Sequence, residues 1–152
     1  MTRFFRTAWS EFLDPFFRRP KRLQVAALCY RRRKSGKEVL LITSRDTGRW
    51  ILPKGWPIDG LDEAGSALQE AWEEAGVKDG RIANDPIGTF DYQKRFNGGA
   101  EATCRTQVFP IEVDKLAREF PERQERKRKW VSPAKAADMV EEPQLRDMLR
   151  GF

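Results

Sequence analysis

The sequence predicts an α/β domain of the α+β kind, with helices layered on a mixed β-sheet. Three observations carry this. Short apolar runs bounded by Gly, Pro, Ser and Asn read as strands. Runs with apolar residues at helical spacing stand between and after them. The two kinds of segment mix without regular βαβ alternation.

Residues 3–17 place Phe4, Phe5, Ala8, Trp9, Phe12, Leu13 and Phe16 on one face of a helix. Pro15 bends or ends it, and Arg18-Arg19-Pro20 reads as a linker. Residues 1–20 therefore form an amphipathic helix and linker ahead of a domain over 21–152. The helix is expected to dock on the domain, and a homodimer contact or a membrane-surface anchor is the sharper alternative. Leu23–Arg32 is a buried strand, Arg33–Lys37 a hairpin turn and Glu38–Thr43 the returning strand. A polar loop, 44–49, leads to a short strand at Trp50-Ile51-Leu52. A Gly/Pro loop then enters a helix from about Asp62 to Ala75, with Asp62 as N-cap and Gly76 as the residue after its end. Its apolar face is small: Ala64, Ala67, Leu68 and Ala71. Residues 81–95 and 101–113 read as two long strands joined at Asn97-Gly98-Gly99. After a polar connection over 115–123, Lys129–Val131 is a brief strand. Pro133–Met139 follows as a helix capped by Ser132, and a last helix runs from about Pro143 to Leu149.

Composition bounds the chemistry. With 152 residues, 39% hydrophobic and 34% charged, the chain can bury one core. No apolar run approaches the roughly 18 residues of a membrane span, and the charged start does not read as a secretory signal. Cys29 and Cys104 lie far apart inside strands, which argues against a disulfide framework and suits a reducing cytoplasm. The absence of histidine removes His-activated nucleophiles and His-ligated metals. Charge is segregated within the net +6. From Arg18 to Lys37 there are nine basic residues and no acidic one, whereas Trp50 to Gly76 holds six acidic residues and only Lys54 as a base. An acidic centre among basic flanks suits metal-assisted chemistry on a polyanion. Charge alone fits a solvated basic surface, or non-specific contact with nucleic acid, equally well.

The acidic centre is the helix after the Gly/Pro loop. Glu70, Glu73 and Glu74 are spaced i, i+3, i+4 and share a face. Like charges so close oppose one another's ionisation. A hard divalent cation with oxygen ligands, Mg²⁺ or Mn²⁺, is the natural counter-charge.

From Gly55 to Val77 the chain resembles the Nudix box, G-x5-E-x7-R-E-U-x-E-E-x-G-U. Gly55, Glu70, Glu73, Glu74, Gly76 and Val77 stand in place with the spacing kept. Leu61 replaces the first Glu and Gln69 the Arg. Two opposite charges are lost together, which costs far less than stranding one. RWILPKGW before the box and the late segment ERKRKWVSPAKAADMVEEPQLRDML resemble the diphosphoinositol polyphosphate phosphohydrolase branch. The resemblance implies a Nudix-like α/β/α sandwich around a mixed β-sheet. It also implies Mg²⁺-dependent hydrolysis of a phosphoanhydride in a polyphosphate small molecule, such as diphosphoinositol or diadenosine polyphosphate. By the same resemblance Glu70, Glu74 and the backbone carbonyl of Lys54 are metal ligands. Glu73 is the general base or shares the metal, and Gly55 lets the backbone approach metal and phosphate. Arg22, Arg45, Lys94, Arg95, Arg126 and Arg128 are candidates to hold the polyanion, a task arginine suits. Two alternatives remain: hydrolysis of ADP-ribose or another nucleoside-diphosphate-linked substrate, and a non-catalytic module that holds nucleotide or RNA. No specific nucleic acid is expected as partner of the enzyme.

Overall fold

The structure, a computed structural model, describes residues 22–152. The helix expected over 3–17, its linker and the dimer or surface contact drawn from them lie outside the described residues. The sheet grows around β1 (Arg22–Arg33). Side chains alternate across a strand, so this apolar run feeds two cores at once. Val25, Ala27 and Cys29 point to one face, while Ala26 and Leu28 point to the other. β1 makes a hairpin with β2 (Gly36–Thr43), with Arg33 opposite Gly36, and lies parallel to β7 (Glu101–Leu116). The order β3-β2-β1-β7-β5 forms the main path, where β3 is Trp50–Ile51 and β5 is Val77–Ile82. β4 (Lys54–Gly55) pairs with β1, β6 (Gly88–Arg95) with β7, and β8 (Arg128–Val131) with β2. Only the β1–β7 pair is parallel among these, so the sheet is mixed as expected.

Helices cover both faces. On one, α1 (Glu63–Glu70) and the turn Ala71–Ala75 lay Ala64, Ala67, Ala71 and Ala75 against Val25, Ala27 and Phe109. On the other, α2 (Pro133–Met139) and α3 (Pro143–Arg150) bury Ala136, Ala137, Leu145 and Leu149 against Leu28, Leu41, Phe90 and Val108. The caps fall as expected: Asp62 Oδ1 accepts from the Gly65 N–H at 2.7 Å, and Ser132 Oγ from the Lys135 N–H at 3.2 Å.

Three expectations need correction. The run 81–95 is not one strand: β5 ends at Ile82 and β6 begins at Gly88, both pairing with β7. Pro86, which has no N–H for a ladder, lies in the break. Lys54–Gly55, expected as loop, is a two-residue strand on β1. The glutamate helix is not uniformly α-helical. It ends in a wider, π-helical turn, Ala71–Ala75, closed by Gly76 at φ +74°. A Cβ at Gly76 would also meet Phe120 Cδ1 at 2.5 Å, so both backbone and packing demand glycine there.

Candidate active site

The small residues on α1 bring its backbone close to the sheet, and the π-helical turn rotates the later side chains. Together they deliver Glu70 and Glu74 to the β4 edge, where a cavity of about 450 Å³ opens. Glu74 is buried, and its Oε1 accepts the Lys54 backbone N–H at 3.1 Å. Glu70 packs against Gly55 so tightly that a Cβ there would lie 2.5 Å from Glu70 Oε1. Burial, then the neighbouring Glu74 carboxylate, pushes Glu70 up to about 8. Burial also raises Glu74, against the opposing pull of Arg126 and of the Lys54 N–H.

The opposite wall comes from the connection after β7. It is pinned to the glutamate helix by Ala117 N–H to Gly76 O (2.8 Å) and Glu122 N–H to Glu73 O (2.9 Å). This brings Glu122 and Arg126 to the cavity. The Arg126 side chain is 7% exposed. Its Nη2 lies 2.9 Å from Glu122 Oε1 and 3.3 Å from Glu74 Oε2, and its Nη1 donates to Thr43 O at 3.0 Å. Arg45 lines the same cavity from the rim, 55% exposed and 3.6 Å from both Glu122 and Glu125. The Lys54 ammonium lies over the Tyr92 ring at 4.7 Å, and burial lowers it to about 8. Gln24, whose amide oxygen accepts from the Tyr92 hydroxyl, completes the floor.

A second cavity of about 620 Å³ adjoins the first, sharing Ser44, Asp46, Lys54, Tyr92 and Lys94 and extending to Arg49, Arg95 and Phe96. Lys94 thus faces both. Arg95 lines only the second and pairs with Glu101 at 3.3 Å. Arg22 spreads its guanidinium over Phe96 at 4.7 Å, and Phe96 in turn stacks near Trp56 at 6.5 Å, at the mouth of the first cavity.

Four expected site residues do not line the first cavity: Arg95 borders only the second, Arg22 borders neither and lies against Phe96, and Arg128 and Glu73 turn elsewhere. Arg128 turns to the end of the glutamate helix. Its Nη1 donates to Ala75 O at 2.7 Å and its Nη2 to Ala117 O at 2.8 Å, over the Phe120 ring. Helix-end carbonyls need such donors, so Arg128 pins the loop that carries Glu122. Glu73 does not line the cavity, and its Oε1 accepts from Gln69 Nε2 at 3.1 Å. In the π-helical turn Glu73 no longer follows the 100° step that put all three glutamates on one face. Gln69 therefore engages a box carboxylate, while Leu61, the other departure, is 47% exposed. Glu122, Trp56 and Tyr92 were missed. Glu122 stands between Glu119 and Glu125 in a run of mixed charge, so no local signal singled it out.

The donor set suits a hard cation: carboxylate oxygens, one buried and one half-buried, close together and resisting ionisation. Among the described residues no three acidic or thiol side chains already converge as a cage. The Arg126 guanidinium stands between Glu74 and Glu122 instead.

A carboxylate pair on a loop-entered helix, walled by a loop of mixed charge, lies at the sheet edge of an α/β/α sandwich. The chain belongs to the NUDIX domain family, whose model matches residues 22–152. Nudix hydrolase 21, chloroplastic, of Arabidopsis thaliana is 34% identical over 134 residues, covering 84% of this chain and 64% of that protein. Diphosphoinositol polyphosphate phosphohydrolase 3-alpha of Mus musculus is 32% identical over 111 residues, covering 70% and 62%. The chain thus spans less than two thirds of the length of these curated relatives. Among solved structures, a C. elegans Ap4A hydrolase superposes with a TM-score of 0.63 at 21% identity, covering 87% of this chain and 96% of that one. The NUDIX domain of Shewanella oneidensis NrtR, complexed with ADP ribose, gives 0.62 at 21% identity, covering 95% and 96%. These likenesses show the α/β/α fold. No helix of the described residues is long and apolar enough to cross a membrane.

Proposed function

We propose that this chain hydrolyses a phosphoanhydride in a strongly anionic small molecule, with Mg²⁺ or Mn²⁺ held by Glu70 and Glu74. The observation that carries the reading is the pressing of the half-buried Glu70 and the buried Glu74 against the backbone of Lys54 and Gly55, in a cavity rimmed by Arg45, Lys54 and Lys94. The Lys54 carbonyl stands with them as a candidate ligand. The cation supplies charge neutralisation for the phosphoryl oxygens. Everything else is done by side chains. Arg45, Lys54 and Lys94 bind and orient the polyphosphate, Arg95 lines its outer path, and Arg22 backs that path through Phe96. Glu122, which faces the cavity from the loop, takes the base role first expected of Glu73: it orients the attacking water and accepts its proton. Glu73 supports the site through Gln69. The free, buried thiols of Cys29 and Cys104 fit work in a reducing compartment such as the cytoplasm.

One observation favours a second reading. Trp56, 39% exposed at the cavity mouth beside Phe96, offers a flat apolar surface to a nucleoside, as in ADP-ribose or a diadenosine polyphosphate. A panel of diphosphoinositol polyphosphates, diadenosine polyphosphates and ADP-ribose, with products identified, tests both. Inorganic phosphate from the diphosphoinositol polyphosphates, or a pair of adenosine nucleotides from the diadenosine polyphosphates, abolished by chelator and restored by Mg²⁺, is the expected result. Turnover confined to ADP-ribose shifts the conclusion to the second reading. Tight binding with no product from any substrate sinks hydrolysis itself.

A further inference from the structure

Arg126 makes four polar contacts of unequal quality. Nε and Nη2 reach Glu122 Oε1 at 3.0 and 2.9 Å, and Nη1 reaches Thr43 O at 3.0 Å. The contact to Glu74 Oε2, at 3.3 Å, is the longest of the four. Glu74 is held independently, because its other oxygen takes the Lys54 N–H. The guanidinium is therefore anchored on the Glu122 loop, and Nη2 leans onto one oxygen of a carboxylate that is fixed without it. Glu74 lines the same cavity as Glu70, and Arg126 itself lines the cavity. A buried carboxylate beside a second one, without a counter-charge, is costly, and Arg126, 3.3 Å away, is placed to relieve Glu74.

We propose that Arg126 is a tethered stand-in for the metal. It neutralises Glu74 in the metal-free chain and gives up that oxygen when the divalent cation binds. It then turns Nη2 to the anionic substrate while staying anchored on Glu122 and Thr43. Metal loading and anion binding are thereby coupled through one side chain, since the donor released from Glu74 is the donor offered to phosphate. The proposal rests on the reading of Glu70 and Glu74 as metal ligands. It assigns Arg126 a positioning role distinct from that of Arg45, which lies at the exposed rim.

The sign of one measurement tests it. Mg²⁺ is titrated calorimetrically, without substrate and at about pH 8.5 to limit competition from protons, into the wild-type chain and Arg126→Gln. The proposal expects the variant to bind Mg²⁺ more tightly, by roughly tenfold, because its tethered competitor is gone. Equal or weaker binding by a variant whose thermal melt shows it folded overturns the proposal. A purely structural arginine gives weaker binding, and one that only grips substrate gives no change. Should Arg126→Gln fail to fold, the wild-type chain labelled with ¹⁵N-arginine decides. The Arg126 Nε–Hε resonance, assigned by its loss in Arg126→Lys, is expected to shift on adding Mg²⁺, and an unmoved resonance overturns the proposal. A wild-type chain that takes no Mg²⁺ overturns the metal reading itself, and this proposal with it. Mg²⁺ binding without the tightening overturns this proposal alone.

Discussion

The two faces of the sheet are packed for different purposes. Under α3 the contact is made by large side chains, with Leu145, Leu149 and the neighbouring Val140 against Leu28, Leu41 and Phe90, while α2 adds Ala136 and Ala137. Under α1 the helix contributes four alanines. Large residues bury more area and hold helices further off, whereas small ones sacrifice area for close approach. The close approach on the α1 face lets Glu70 press on Gly55 and Glu74 accept from Lys54. One face thus supplies stability, and the other spends part of it to crowd carboxylates at the β4 edge.

The contrast can be broken at four points. Glu74→Gln is expected to lower turnover by about a thousandfold, the scale of losing a main electrostatic group. Its melting temperature should hold or rise, because burial disfavours the Glu74 charge; kinetics with a thermal melt checks both. Leu149→Ala, wholly buried on the other face, should behave in the opposite way. It should lose about 2–5 kcal/mol in a denaturant titration with kcat/KM per folded molecule unchanged. Gly55→Ala drives a Cβ to 2.5 Å from Glu70 Oε1, and the carboxylate must move. Turnover should fall roughly ten- to a hundredfold with only a small change in melting temperature.

The smallest effect is on pH. Glu70 is raised from 4.5 to about 8 in the folded chain. The folded state therefore holds this proton more tightly than the unfolded one. The stability it contributes is full below about pH 4.5 and is lost as pH rises towards 8. Melts of the metal-free chain should fall through that window, and saturating Mg²⁺ should flatten the fall. A pH-independent melt without metal would mean that the carboxylate pair is more open to water than its packing indicates.

How much of this was readable beforehand depends on the kind of contact. The caps at Asp62, Ser132 and Gly76 were legible because capping is settled within a few residues. The double-faced apolar pattern of β1 was legible for the same reason. Glu70 and Glu74 were legible as a spaced motif. The placement of Glu73 outside the cavity was not legible because a π-helical turn carries no spacing signature: it follows from how the helix end closes on Gly76, Phe120 and Arg128. Arg126 and Arg128 stand two residues apart with the same chemistry, and nothing local says that one enters the cavity while the other caps a helix. Their fates follow from β8 pairing with β2 and from the loop docking through Glu122 and Ala117.

The sequence by itself determined most of the strands, the caps, the glutamate-bearing loop–helix and the family, because these depend on neighbours within one turn or one strand. The tertiary structure alone decided which charges meet. Glu122 and Arg126 reach Glu74 across 48 and 52 residues of chain, and such pairings are set by sheet order and loop docking, which no local pattern encodes.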